Sequence, residues 1–202
     1  VREGSAPVVR EGSAPVSRLS AGGSGAGSAV AVVVPANKEK EERARLMKTL
    51  VQDSWKVVEK NIDVLAERFM KRVFRIKPEL MDLFSFKDTP DVYHSEAFKD
   101  HAVKVLRHIG RAIMGLSDVK ALVPVLKAHG AAHAAYGARP EHFAVFSKAL
   151  LVTVEEGMGT QWTRDHREAW KKTYATIQSV MEPALVDAIR AAEHKPPRSE
   201  EH

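Results

Sequence analysis

Residues 98–133 read FKDHAVKVLRHIGRAIMGLSDVKALVPVLKAHGAAH, and the organisation of the chain follows from this stretch. Its two halves have helical spacing and are separated by Gly115-Leu116-Ser117. Ser95, just upstream, can cap the first helix, because a serine hydroxyl accepts one of the unpaired amides of the first turn. That helix runs to about Met114. A second is predicted from Asp118 to Tyr136, with Pro124 in its first two turns as the expected kink. His101 and His108 are seven residues apart on the first helix, and His129 and His133 four apart on the second, so each pair shares one helix face. Such an arrangement faces an iron from both sides or holds a zinc. His129 and His133 alone lack a third protein ligand for zinc in the adjacent sequence. A lone helical histidine is more often a surface or hydrogen-bonded residue than a ligand, so the spacing is a weak signal until its neighbours are read.

The pattern on both sides is helical. Leu46, Leu50, Val51, Trp55 and Val58 repeat with helical period, as do Ile62, Leu65, Phe69, Val73 and Phe74. Pro78 opens a new short helix, since proline is tolerated in a first turn, and Asp88-Thr89-Pro90-Asp91 reads as a loop. Beyond Gly137 and Pro140 a helix is predicted over about 141–156, stopped by Gly157-Met158-Gly159. Thr163 caps a last helix through Trp170, Tyr174, Ile177, Val180 and Met181 to about Ala192, and Pro183 predicts a bend or an early end there. No segment alternates as a strand does, so the class is all-α with seven or eight helices in one domain over 38–193.

Residues 1–37 differ in composition. They are rich in Gly, Ser, Ala, Pro and Val, lack aromatic residues, and repeat the octapeptide Val-Arg-Glu-Gly-Ser-Ala-Pro-Val at 1–8 and 9–16. Two polar copies are too few for a solenoid, so a flexible, disordered extension is expected. Residues 194–202 are expected to form a disordered tail. The chain begins at Val1, so no lipidation signal can be read there.

The 202 residues, 44% hydrophobic and 28% charged, suit one globular domain, and no apolar run reaches the roughly 18 residues a membrane helix needs. The absence of cysteine excludes disulfides, thiolate metal sites, a thiol nucleophile and covalent haem attachment. It also fits a reducing, cytoplasmic setting. The net charge of +5 arises from basic residues interleaved with acids, as in Lys38-Glu39-Lys40-Glu41-Glu42-Arg43, which argues against a nucleic-acid footprint. No phosphate loop, dinucleotide fingerprint, nucleophile elbow or H-E-x-x-H is present. The nine histidines are the chemically informative residues, and none has the Glu three residues before it that a di-iron bundle uses.

In order along the chain stand Ser54-Trp55, Lys77-Pro78, Leu83-Phe84, Phe98-Lys99-Asp100-His101 with Lys104 and Val105, His129-Gly130-Ala131-Ala132-His133, Phe143, Trp170 and Tyr174. This series resembles a globin, most closely the neuroglobin and cytoglobin-like animal branch, over about residues 42–182. The resemblance implies a globin fold around non-covalent haem b, with His133 as the proximal iron ligand and His101 as the distal residue. It further implies that Phe84 packs on the porphyrin, that Val105 and Met70 wall the distal side, that Lys104 reaches a propionate and that Phe143 lies below the haem near His133. His129 stands where the family places an apolar contact, and reaching a propionate, facing solvent and competing as ligand remain open to it. His108 is expected at the pocket edge or surface.

The expected function is reversible binding of oxygen, carbon monoxide and nitric oxide, with bis-histidyl hexacoordination before a gas enters. That suits sensing, scavenging or redox work more than oxygen transport. An enzymatic alternative is nitric oxide dioxygenation or nitrite reduction with electrons from an outside reductase. Against a dedicated dioxygenase, Met70 stands where flavohaemoglobin-like proteins carry tyrosine, and no flavin domain follows. A non-haem helical interaction module is a third reading, and the oligomeric expectation is a monomer or homodimer.

Overall fold

The computed structural model describes residues 36–194, so the expected extension lies outside the described residues except at its inner end, and of the expected tail only His194 lies within them. The order is α1 (Ala36–Glu59), α2 (Ile62–Ile76), 3-10 turns at Pro78–Leu83 and Val92–His94, α3 (Glu96–Met114), and a 3-10 turn at Gly115–Ser117. Then come α4 (Val119–Ala134), α5 (His142–Met158), a 3-10 turn at Gly159–Gln161 and α6 (Arg164–Glu193). No strand occurs among the described residues. The short helix expected at Pro78 is the six-residue 3-10 turn, the longest of four 3-10 turns that stand with six α-helices among the described residues.

The helix starts follow from side-chain caps. Ser95 Oγ accepts from the Phe98 amide at 3.2 Å, Asp118 Oδ1 from Ala121 at 3.1 Å and Thr163 Oγ1 from His166 at 3.3 Å. Each satisfies one of the amides a helix start leaves free. The stop expected at Gly157-Met158-Gly159 falls on its last residue, and α6 reaches its expected end without stopping early at Pro183. α5 continues through Gly157 to Met158, because a Cβ at Gly157 would lie 2.8 Å from Leu65 Cδ1, so this glycine serves a helix crossing. The stop is Gly159, at φ +54°, a conformation glycine adopts without steric cost. α6 likewise runs past Pro183 to Glu193, with Leu185 buried on the far side to hold it.

α2 buries Ile62, Leu65, Ala66, Phe69, Met70, Val73 and Phe74 along one stripe. It packs on α3 and α5, while α1 lies against α6, α5 and α3. Trp55 and Trp170 meet at 6.4 Å in the core, and the Trp170 indole donates to Ser54 Oγ at 2.8 Å, which satisfies a buried N–H. Gly110 admits Trp55 against α3, since a Cβ there would fall 2.3 Å from the indole ring. Leu46, first in the helical repeat of α1, is exposed (59%), as are most residues of the first turns of that helix.

α4 is packed along α6 and along no other α-helix. The two backbones come close at Gly130, where a Cβ would stand 2.3 Å from the Met181 carbonyl oxygen. Gly130→Ala should therefore destabilise the fold by about 1–3 kcal/mol through overpacking. In an open helix the same change would gain about 1 kcal/mol of propensity. Chemical denaturation would give the sign, and a stabilised variant would contradict the packing described.

Candidate functional site

Although joined by a single short turn, α3 and α4 do not pack along each other. His108 and His129 lie nearly equal distances along the chain from the Asp118 turn, one on each arm. Their rings stack at 5.3 Å between centroids and 17° between planes. His101 lies about two turns before His108, and His133 about one turn beyond His129, so both lie farther out along the arms.

His133 is half-buried, and its Nδ1 lies 2.6 Å from the His129 carbonyl oxygen. A carbonyl can only accept, so Nδ1 carries the proton and Nε2 keeps its lone pair. A hydrogen bond of this kind fixes the tautomer and ring direction of a metal-binding imidazole and raises its basicity. The edge of the ring also meets His129 at 4.6 Å and Tyr136 at 6.1 Å.

On α3, His101 is held by aromatic rings. Phe84 meets it edge-on at 5.0 Å and Phe86 at 5.6 Å. Those two stack at 5.2 Å, with Phe74 against Phe84 and Phe98 against Phe86. Burial, then the Lys104 charge, push the His101 imidazole below its ordinary pKa, which favours the neutral form with a lone pair. Burial, then His133, His108 and Arg111, lower His129 to about 4.

The other expected site residues are distributed unequally. Val105 and Phe84 are half-buried against the core, as is Ile109. Lys104 is exposed. Met70 has no solvent-reachable surface and belongs to the closed core. Phe143 is half-buried, and its carbonyl accepts from the Tyr174 hydroxyl at 2.9 Å. Burial raises the Tyr174 pKa, so its hydroxyl stays a donor. Sequence reading missed the contact of Phe86 with His101, which sits two residues after Phe84 and so was within reach of inspection. It also missed the pairing of His108 with His129, which depends on the angle between two helices.

The globin family pattern matches residues 67–181, more than half of the chain. The chain is a globin. Among relatives of this globin, the neuroglobin of Danio rerio is 31% identical over 138 residues, spanning 66% of this chain and 87% of that protein. An anaerobic nitrite reductase of Solanum lycopersicum is 31% identical over 148 residues, spanning 67% and 90%. In three dimensions it is similar to the crystal structure of a hexacoordinated haem protein from an anhydrobiotic tardigrade at pH 4. That match has a TM-score of 0.64 at 18% identity and covers 76% of this chain and 96% of the other. The resemblance to neuroglobin-like globins expected from the histidine spacing and its flanking landmarks is thereby shown.

Tyr174→Phe keeps the ring and removes its hydrogen bond to the Phe143 carbonyl, which ties α6 to the start of α5. A loss of about 1 kcal/mol is expected in urea denaturation, and an unchanged midpoint would show that solvent replaces the bond.

Proposed function

We propose that this globin holds haem b non-covalently between α3 and α4, where His133 would be the proximal iron ligand and His101 the distal residue, closing the site as a second ligand in the absence of a diatomic gas. The reading is carried by the His133 Nδ1–H bond to the His129 carbonyl, which leaves a fixed, neutral Nε2 facing no partner among the described hydrogen bonds. The remaining residues fit the group. The two histidine-bearing helices meet through His108 and His129, and half-buried Phe84, Val105, Ile109, Phe146 and Ile177 offer apolar surface at the edge of the core. The tardigrade haem protein of similar fold is hexacoordinated, which supports the closed state.

Haem iron, when bound, would supply the reversible binding of oxygen, carbon monoxide or nitric oxide. The chain's own part is to orient and to exclude. His133 keeps its ring direction through the helix carbonyl, and Phe84 and Phe86 confine the His101 ring on two sides. With haem bound, His101 would meet the iron through the lone pair of its neutral imidazole, or, in the tautomer that carries the proton on the nitrogen facing the pocket, would donate a hydrogen bond to a bound gas. Val105, one turn farther along α3, narrows the space into which the ring retreats. Lys104, exposed one residue before it, is placed to meet a haem carboxylate at the solvent edge. Phe143 contributes on the His133 side, and Met70 supports the distal wall from within the core. Gas affinity is scaled down by the fraction of open molecules, which suits sensing, scavenging or redox roles.

We place this domain at residues 38–193, acting as a monomer or homodimer in the cytoplasm. Among the described residues no helix is long and apolar enough to cross a membrane. The similarity to an anaerobic nitrite reductase favours a second activity, nitrite reduction at the same iron with electrons from an outside reductase.

His101→Leu should retain haem and leave the sixth position open. For an open fraction of about 0.1–10%, carbon monoxide affinity then rises about 10- to 1000-fold. His133→Ala should accelerate haem transfer to an apoglobin acceptor by at least about tenfold. A His133→Ala protein with an unaltered haem spectrum would overturn the proximal assignment, and an unchanged affinity in His101→Leu would overturn the distal one.

A further inference from the structure

We propose that the outward face of α4 is a docking surface for an acidic amphipathic helix of a partner protein.

α4 departs from the usual pattern of a surface helix, which is apolar where it packs and polar where it meets water. From Val119 to Ala134 its only polar side chains are Lys120, Lys127, His129 and His133. Its buried residues are Leu126 and Gly130, the latter against Met181 of α6. His129 turns to His108 of α3. What remains outward is apolar and exposed: Ala121, Pro124, Val125, Ala128, Ala132 and, just past the helix end, Ala135. Val125 is 63% exposed. The Gly130 approach to α6 fixes the rotation of α4, so this face stays outward. A helix that is apolar nearly all round is stable where its whole circumference is covered, and α6 covers one side.

Spacing points to a helical occupant. Ala121, Val125, Ala128, Ala132 and Ala135 follow at alternating intervals of four and three residues, the repeat along which a second helix seats its own apolar side chains. Alanines let such a helix come close, whereas they give a lipid surface little to insert.

Charge selects the kind of helix. Exposed Lys120 and Lys127, seven residues apart, border the face, and neither forms an ion pair among the described residues. Residues 101–140 carry six Lys and Arg against one acid, Asp118, a surplus as large as the net charge of +5 of the whole chain. Asp118 is engaged as the cap of α4. A second copy of the chain would bring the same lysines together. Residues 1–37 hold three Arg against two Glu and so offer no complementary charge. A helix with an apolar seam and acidic flanks matches both the face and its border.

The test is fluorescence anisotropy of a labelled peptide of about 21 residues, with Leu at each a and d position of its heptads and Glu at each e and g. Repulsion among the glutamates keeps this peptide from pairing with itself. Titration with the full-length, haem-loaded protein should give saturable binding that weakens at least about tenfold between about 0.05 and 0.5 M salt. Val125→Glu and Lys127→Glu, both at exposed positions, should each weaken it at least about tenfold at low salt. Val152→Glu, at an exposed valine of α5, should leave it unchanged. Far-UV circular dichroism checks that each variant is folded. The proposal is overturned if the peptide does not bind, if it binds equally well with Lys in place of Glu, or if both α4 substitutions leave binding as it was. A dimer in sedimentation that Val125→Glu dissolves would overturn it in favour of a second copy. Binding of phosphatidylserine vesicles or duplex DNA that Lys127→Glu abolishes, with the peptide unbound, would overturn it in favour of those surfaces. None of these readouts involves the iron, so a failure here is distinct from a failure of the axial-ligand assignment.

Discussion

The Gly130 backbone pressed against the Met181 carbonyl is the constraint on which the site depends. α4 has no other long helix to lean on, so this approach sets both its distance from α6 and its rotation about its own axis. The heading of His129 and His133 follows from that rotation. Any side chain larger than hydrogen at Gly130 has to move two helix backbones, which is costly in a close-packed interior. The proximal ligand proposed at His133 would thus be positioned by main chain, with side-chain packing in a supporting part.

The opposite arm is anchored differently. α3 is fixed through its apolar face, by Phe98, Ala102 and Leu106 against α2 and by Gly110 on Trp55. The aromatic group of Phe74, Phe84, Phe86 and Phe98 then reaches around to His101. One histidine is therefore held by a hydrogen bond to its own helix and the other by ring edges, which resist tilting but permit sliding. That asymmetry suits a permanent ligand on α4 and a displaceable one on α3. Burial acts in the same direction, because a neutral imidazole is the form that binds iron.

Helix starts were legible because Ser95, Asp118 and Thr163 act locally, each through one oxygen and one nearby amide. Helix ends were less so. Gly157 looked like a stop and proved to be a crossing point, since only the neighbouring Leu65 and Val58 distinguish the two. Pro183 suggested an end that burial of Leu185 prevents. Leu46 fits the helical period but is exposed, and periodicity carries no information about where a bundle stops. In the candidate site, the order and spacing of His101 and His133 with their flanking landmarks carried the family. The ring contacts of Phe86 and the stacking of His108 on His129 were not legible, because they depend on the angle between α3 and α4.

The most direct test of the account is the visible absorption spectrum of the reduced, full-length protein before and after carbon monoxide. Sharp low-spin bands without gas, moving to those of a carbonyl complex on addition, are the predicted result. A broad high-spin spectrum without gas would contradict closure by His101, and the absence of haem bands after reconstitution would contradict the cofactor itself.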